Sequence, residues 1–219
     1  MDKKILVDFL FPPRCMLCGN VLAQGENCSV CRTKAGHFAM TENNRRINHS
    51  CFKKLDECIS FYIYDDIIRE GILYAKFKSC QAFTREFLSY TDFDFAEFFR
   101  ENNVDEFISM PYHKSKLYDR EYDLPQQMAQ TIAKTYGLRY NKDLVTKVKK
   151  TKNQHDLSLS ERRSNIKGAF STNGEIKGKN IVVLDDIVTT GYSLEEVAAA
   201  LKKSGANRVT GITFAYNKG

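Results

Sequence analysis

Four consecutive apolar residues, Ile181, Val182, Val183 and Leu184, followed at once by Asp185 and Asp186, form the clearest pattern in the chain. An unbroken apolar run suits a strand buried on both faces, as in a parallel sheet, and predicts that the strand ends at the two acids. Beyond a turn at 189–193, apolar spacing predicts a helix that begins between Tyr192 and Leu194, reaches Lys203 and is ended by Gly205. Residues 207–216 are β-rich and predict a further strand of the sheet. Upstream, residues 58–64 alternate and are rich in Ile, Phe and Tyr, which is strand chemistry. Ile67, Ile68, Ile72, Leu73 and Phe77 fall at helical spacing, so a helix is expected over 65–78 with Asp65 or Asp66 as its N-cap. Residues 104–110 predict the next strand. An amphipathic helix follows at 123–136, with Leu124, Met128, Ile132 and Ala133 inward and Gly137 as its C-terminal cap. A short strand is expected at 144–148 and a short helix from Ser160. The set reads as an α/β fold, a parallel sheet flanked by helices.

The stretch 83–100 carries six phenylalanines, at 83, 87, 93, 95, 98 and 99. Aromatics can stack on unpaired bases or fill a core. The intercalated acids Glu86, Asp92, Asp94 and Glu97 favour the core. At 219 residues the chain can bury one sizeable α/β core with a small appendage. No run of 18 apolar residues is present, and Asp8 interrupts the short apolar stretch near the N-terminus, so neither a membrane span nor a secretion signal is expected and the location reads as cytoplasmic. The net charge of +6 is concentrated: residues 111–167 hold thirteen Lys or Arg against six Asp or Glu. Such a segment attracts pyrophosphate or a nucleic-acid backbone, or is simply a solvated basic surface.

Seven cysteines, in a chain with no secretion signal, read as metal ligands before disulfides. Cys15 and Cys18 form one C-x-x-C pair, Cys28 and Cys31 another, and Gly19 offers a tight turn that aims the first pair inward. Four thiolates at this spacing make a closed tetrahedral zinc site, and so short a segment would scarcely fold without one. Free or redox-active thiols are the competing reading. Cys51 and Cys58 stand outside these pairs, and His37 and His49 read either as surface histidines in polar loops or as replacement ligands. Cys80 reads as a partly buried apolar side chain. Residues 41–50, polar and aperiodic, are expected to connect the two units: residues 1–57 as zinc-binding segment and connector, residues 58–219 as the larger domain.

Where the apolar strand gives way to its helix, the chemistry is that of a sugar phosphate. Free backbone N–H groups and the positive helix end favour an anion, Gly191 permits close backbone approach, and Thr189, Thr190 and Ser193 add neutral donors. Asp185 and Asp186 are suited to accepting hydrogen bonds from sugar hydroxyls. Two other patterns end a strand in paired acids: solvated strand ends, and the metal-holding strand of P-loop proteins. The latter needs G-x-x-x-x-G-K-[ST] elsewhere, and the nearest approach, 174–180, has the wrong glycine spacing and no hydroxyl residue.

The buried strand, two acids and the T-T-G-x-S turn resemble the phosphoribosyl pyrophosphate (PRPP) motif of type I phosphoribosyltransferases, and the chain from Cys15 onward resembles the ComF family. That resemblance implies a type I phosphoribosyltransferase-like parallel sheet flanked by helices behind a small N-terminal zinc finger. It implies that Asp185 and Asp186 take the ribose, that Thr189, Thr190, Gly191, Tyr192 and Ser193 take the 5′-phosphate, and that Mg²⁺ bridges ribose and pyrophosphate. It implies a pyrophosphate loop after the 104–110 strand, with His113, Lys114, Lys116 and Arg120. The family's R-G-F-N-Q becomes Arg120-Glu-Tyr-Asp-Leu124 here, which puts the Glu121 carboxylate close to where pyrophosphate should lie. Tyr192 replaces a smaller residue. The pattern Q-x-x-L-x-x-x-x-R-x-x-N-x-x-x-A-F is matched by Gln154, Leu157, Arg162, Asn165, Ala169 and Phe170, with lysine-rich 149–160 as a flap over PRPP or an exposed basic loop. Lys149, Lys150 and Lys152 mark the alternative activity that the resemblance implies: handling of single-stranded DNA in competence, with competence-machinery proteins as partners.

Overall fold

The computed structural model of the chain describes residues 14–15, 17–23, 28–77, 80–112, 123–151 and 159–218. A four-stranded parallel sheet forms its centre, in the order β1-β6-β5-β2, built from β1 Glu57–Ile63, β2 Glu106–Ser109, β5 Asn180–Val188 and β6 Arg208–Tyr216. β3 Val145–Lys147 and β4 Phe170–Thr172 pair separately as an antiparallel ribbon. The helices are α1 Ser29–Phe38, α2 Asp66–Phe77, α3 Cys80–Tyr90, α4 Phe95–Glu101, α5 Leu124–Tyr136, α6 Leu159–Ile166 and α7 Tyr192–Lys203.

Strand β5 does not stop at Leu184. It continues through both acids to Val188, because Asp185, Ile187 and Val188 keep their register with Thr213, Ala215 and Tyr216 of β6. Ladder pairing on a central strand outweighs the poor strand propensity of aspartate. The expected in-and-out alternation of β1 is also absent: Cys58 to Tyr62 are all buried, Ser60 at 0% exposure, since both faces of the sheet are covered. One face packs Val182, Leu184, Ile212 and Phe214 against α2, α3 and the phenylalanine-rich segment. The other packs Val183, Val209 and Cys58 against Leu194, Val197, Ala198 and Leu201 of α7.

The phenylalanines at 83, 95 and 99 are buried core, with those at 93 and 98 packed against it; the side chain at 87 lies outside the described residues. Gly137 closes α5 at φ 67°, as the sequence predicts, while Asp123, expected as its first residue, is its N-cap and accepts from the Gln126 amide. The polar segment after α1 is not a slack tether. Its backbone runs antiparallel along the edge of β1, with the Met40 amide donating to Phe61 O, Ser60 to Arg45 O and Ile47 to Cys58 O. It thereby covers one exposed sheet edge, while residues 139–141 cover the other beside Phe107.

Candidate functional site

At the carboxyl end of β5, Asp185 and Asp186 are 9% and 8% exposed, not turned out to solvent. Strand alternation sends them to opposite faces. Asp185 follows Val183 toward α7, and Asp186 follows Leu184 toward α2. Each folds back locally, Asp185 Oδ1 accepting from the Asp186 amide and Asp186 Oδ1 from the Ile187 amide, both at 2.9 Å. Burial and the neighbouring Asp186 carboxylate push Asp185 well above the ordinary carboxylate range. Asp186 has a partner that no motif announces: Lys76 of α2 places Nζ 2.7 Å from its Oδ2.

The turn after β5 enters α7 with Gly191 as N-cap at φ 71°. Among the described residues, no protein acceptor takes the amide hydrogens of Thr189, Thr190, Gly191 or Tyr192. Four donors are therefore left without protein acceptors at a helix N-terminus next to a buried acid pair, a place suited to receiving a phosphate. The opposite side of the turn is occupied. The Cys51 thiol donates to Thr190 O at 3.0 Å, and the Phe52 ring lies against Gly191 so closely that a Cβ there would come within 2.4 Å of Cε1. Glu195, one turn into α7, accepts from the amides of Lys54 and Leu55 at 3.0 Å. The connector from the zinc-binding unit is thus pinned to the candidate phosphate turn. Burial and the Glu195 carboxylate push the Cys51 thiol up to about 11, so it is a protonated donor at neutral pH.

Of the expected pyrophosphate loop, β2 is in place, and the Met110 amide donates to Leu184 O so that Pro111 and Tyr112 leave from the same sheet edge as the acids. His113, Lys114, Lys116, Arg120 and Glu121 lie outside the described residues, as do Lys152, Gln154 and Leu157 and the side chain of Arg162. Ala169 is buried, and the Gly168 amide donates to Glu196 of α7 at 3.0 Å, so the chain that follows the expected flap and α6 is tied to α7.

The sulfurs of Cys15, Cys18, Cys28 and Cys31 lie within 4.8 Å of one another, and Cys18 and Cys28 approach to 3.9 Å. A tetrahedral zinc with bonds of about 2.3 Å requires sulfur separations of about 3.8 Å, so the donor set fits. Burial above all, with the Glu86 carboxylate adding to it, pushes the Cys15 thiol up to about 11; a divalent cation amid the four would reverse that cost. Among the described residues Cys51 and Cys58 enter no metal-ligating group, nor do His37 and His49. Cys58 is an apolar member of the core beneath α7, and the Cys80 side chain lies outside the described residues.

The short motifs made the acids, the turn and the thiolates visible. Lys76 and Phe52 are not, because each reaches the site from a segment without a motif; Glu195 lies on the helix that the turn opens, but its partners Lys54 and Leu55 come from such a segment.

Residues 127–219 match the phosphoribosyl transferase domain model, and residues 6–44 match the double zinc ribbon domain model. "DNA utilization protein YhgH" of Escherichia coli O6:H1 is 31% identical over 105 residues, which cover 48% of this chain and 46% of that protein. The chain thus spans about half the length of the relatives of that name. "Competence protein ComFC" of Bacillus subtilis is 26% identical over 200 residues, covering 87% of this chain and 72% of that protein. A purine phosphoribosyltransferase from Pyrococcus horikoshii, among solved structures, aligns at 22% identity over 55% of this chain and 67% of its own, with a TM-score of 0.37. The two family matches and the parallel sheet together define a type I phosphoribosyltransferase fold preceded by a zinc ribbon.

Proposed function

Since the chain belongs to the ComF family, we propose that its larger domain binds PRPP and transfers the phosphoribosyl group to an acceptor. The single observation that carries this reading is the set of uncommitted amides from Thr189 to Tyr192 beside the buried pair Asp185 and Asp186. The turn, with the Ser193 hydroxyl, would take the 5′-phosphate, and the acids the ribose hydroxyls. His113, Lys114 and Arg120 would meet the pyrophosphate. Transfer at the anomeric carbon demands little side-chain chemistry. The C1–O bond breaks with its electron pair leaving on pyrophosphate, the acceptor's lone pair forms the new bond at C1, and the acceptor loses a proton. Positioning and charge neutralisation supply most of the acceleration. Mg²⁺, when bound, neutralises pyrophosphate; among the described residues no second group of three metal-ligating side chains converges besides the cysteines, so the ligand's own oxygens would hold it in the main. Zinc, held by Cys15, Cys18, Cys28 and Cys31, is structural.

A second reading comes from the relatives, whose names speak of competence and DNA utilization. In it the same fold handles single-stranded DNA in the cytoplasm, with competence-machinery proteins as partners. No helix among the described residues is long and apolar enough to cross a membrane. Lys149 and Lys150 are exposed at the root of the flap segment, where a nucleic-acid backbone would find them.

One experiment separates the two. PRPP with Mg²⁺ at one hundred times its Kd should stabilise the protein by about 2.7 kcal/mol, and the gain should vanish in the double variant Asp185→Asn/Asp186→Asn. No thermal shift at millimolar PRPP, together with single-strand binding that falls steeply with salt and weakens on charge removal at 149, 150 and 152, would favour the DNA reading instead.

A further inference from the structure

Lys76 is the only cation among the described residues that contacts either acid of the pair. Its ammonium group is 2.7 Å from Asp186 Oδ2, and the two side chains are only 20% and 11% exposed. A merely solvated lysine would not be held there, since burying an ammonium group is costly unless it is paired. Asp186 uses one of its three donors, which leaves two for a ligand.

The stereochemistry of PRPP decides what that ligand group would be. Its pyrophosphate is α-linked at C1, on the same face of the ribose as the 2′ and 3′ hydroxyls. An ammonium ion held by the carboxylate that accepts those hydroxyls therefore stands beside the pyrophosphate, the most highly charged part of the ligand. A cation from α2 would also answer a problem posed by the sequence, where Glu121 replaces a glycine in the expected pyrophosphate loop. We infer that Lys76 is a pyrophosphate-binding residue of this site, stored on Asp186 in the free protein and shared with the ligand's anion when PRPP arrives. This rests on the PRPP reading given above.

The test compares PRPP with ribose 5-phosphate, which keeps the turn-binding phosphate and the hydroxyls and lacks the pyrophosphate, by titration calorimetry on the zinc-loaded full chain with Mg²⁺. In Lys76→Met, PRPP affinity should fall about tenfold or more, as expected for a lost charge-assisted contact, while ribose 5-phosphate changes less than about threefold. Lys76→Arg should restore PRPP binding. The ratio of the two affinities is the readout, so partial misfolding of one variant does not decide the outcome; Lys76→Gln, which removes the charge and keeps a polar end able to donate to Asp186, gives the same ratio if Lys76→Met folds poorly. Equal weakening of both ligands would mean that Lys76 only orients Asp186, and unchanged binding of both would mean that it does neither; either result overturns the inference and leaves the PRPP reading standing. Failure of the wild-type protein to bind either ligand would overturn both.

Discussion

Removing zinc, by chelation or by Cys31→Ser, should unfold far more than the N-terminal ribbon. Cys15, Leu17, Cys28, Cys31 and Ala35 belong to the same buried cluster as Ile59, Phe61, Ile212 and Phe214 of the central sheet, so the ribbon and the transferase domain share a core. Metal binding in small zinc ribbons contributes on the order of 10–16 kcal/mol of apparent folding free energy, as much as the whole stability of a typical domain. If only about 3 kcal/mol of that loss reaches the sheet, Tm of the main transition should drop by roughly 6–12 °C. Scanning calorimetry with and without a chelator measures this directly. A main transition that is unmoved after complete metal removal would mean that the ribbon is energetically independent of the sheet, despite the shared core.

The second large effect concerns Gly191. Its φ of 71° lies in the left-handed region, where a side chain costs about 1–2 kcal/mol. An added Cβ would stand 2.4 Å from Phe52 Cε1 and 3.3 Å from Cys51 Sγ, so the ring and thiol must also move. Overpacking of this kind costs about 1–3 kcal/mol. Gly191→Ala should therefore lose roughly 2–5 kcal/mol in urea denaturation, and PRPP affinity with it, because the same backbone carries the candidate phosphate donors. In Gly191→Ala/Phe52→Ala the packing part should be relieved and the backbone part should remain. A Gly191→Ala protein within about 0.5 kcal/mol of wild type would contradict the tight seating of the connector on the turn.

That seating shows where the sequence stops being legible. The β5–α7 unit could be read residue by residue, because its strand, acids, turn and helix are contiguous and each follows local rules. The same holds for α5, with Asp123 and Gly137 at its ends, and for the paired C-x-x-C motifs. Two aspartates look like a strand terminus, and only the register with β6 reveals that pairing carries on to Val188. β1 looked half-exposed, since nothing local to Ser60 or Tyr62 tells that a second layer buries them. Lys76 meets Asp186, and Cys51 meets Thr190, across more than a hundred residues of chain. A lone lysine on an amphipathic helix and a cysteine in a polar segment have no spacing from which such a meeting could be read.

The most direct test of a phosphate cradle between β5 and α7 is the ¹H–¹⁵N amide spectrum of the zinc-loaded chain as PRPP and Mg²⁺ are added. The signals of Thr189, Thr190, Gly191 and Tyr192 should shift first and furthest, as their free N–H groups acquire acceptors. If those four stay in place at saturating PRPP, the ligand is either unbound or held elsewhere, and the site described here is not a sugar-phosphate site.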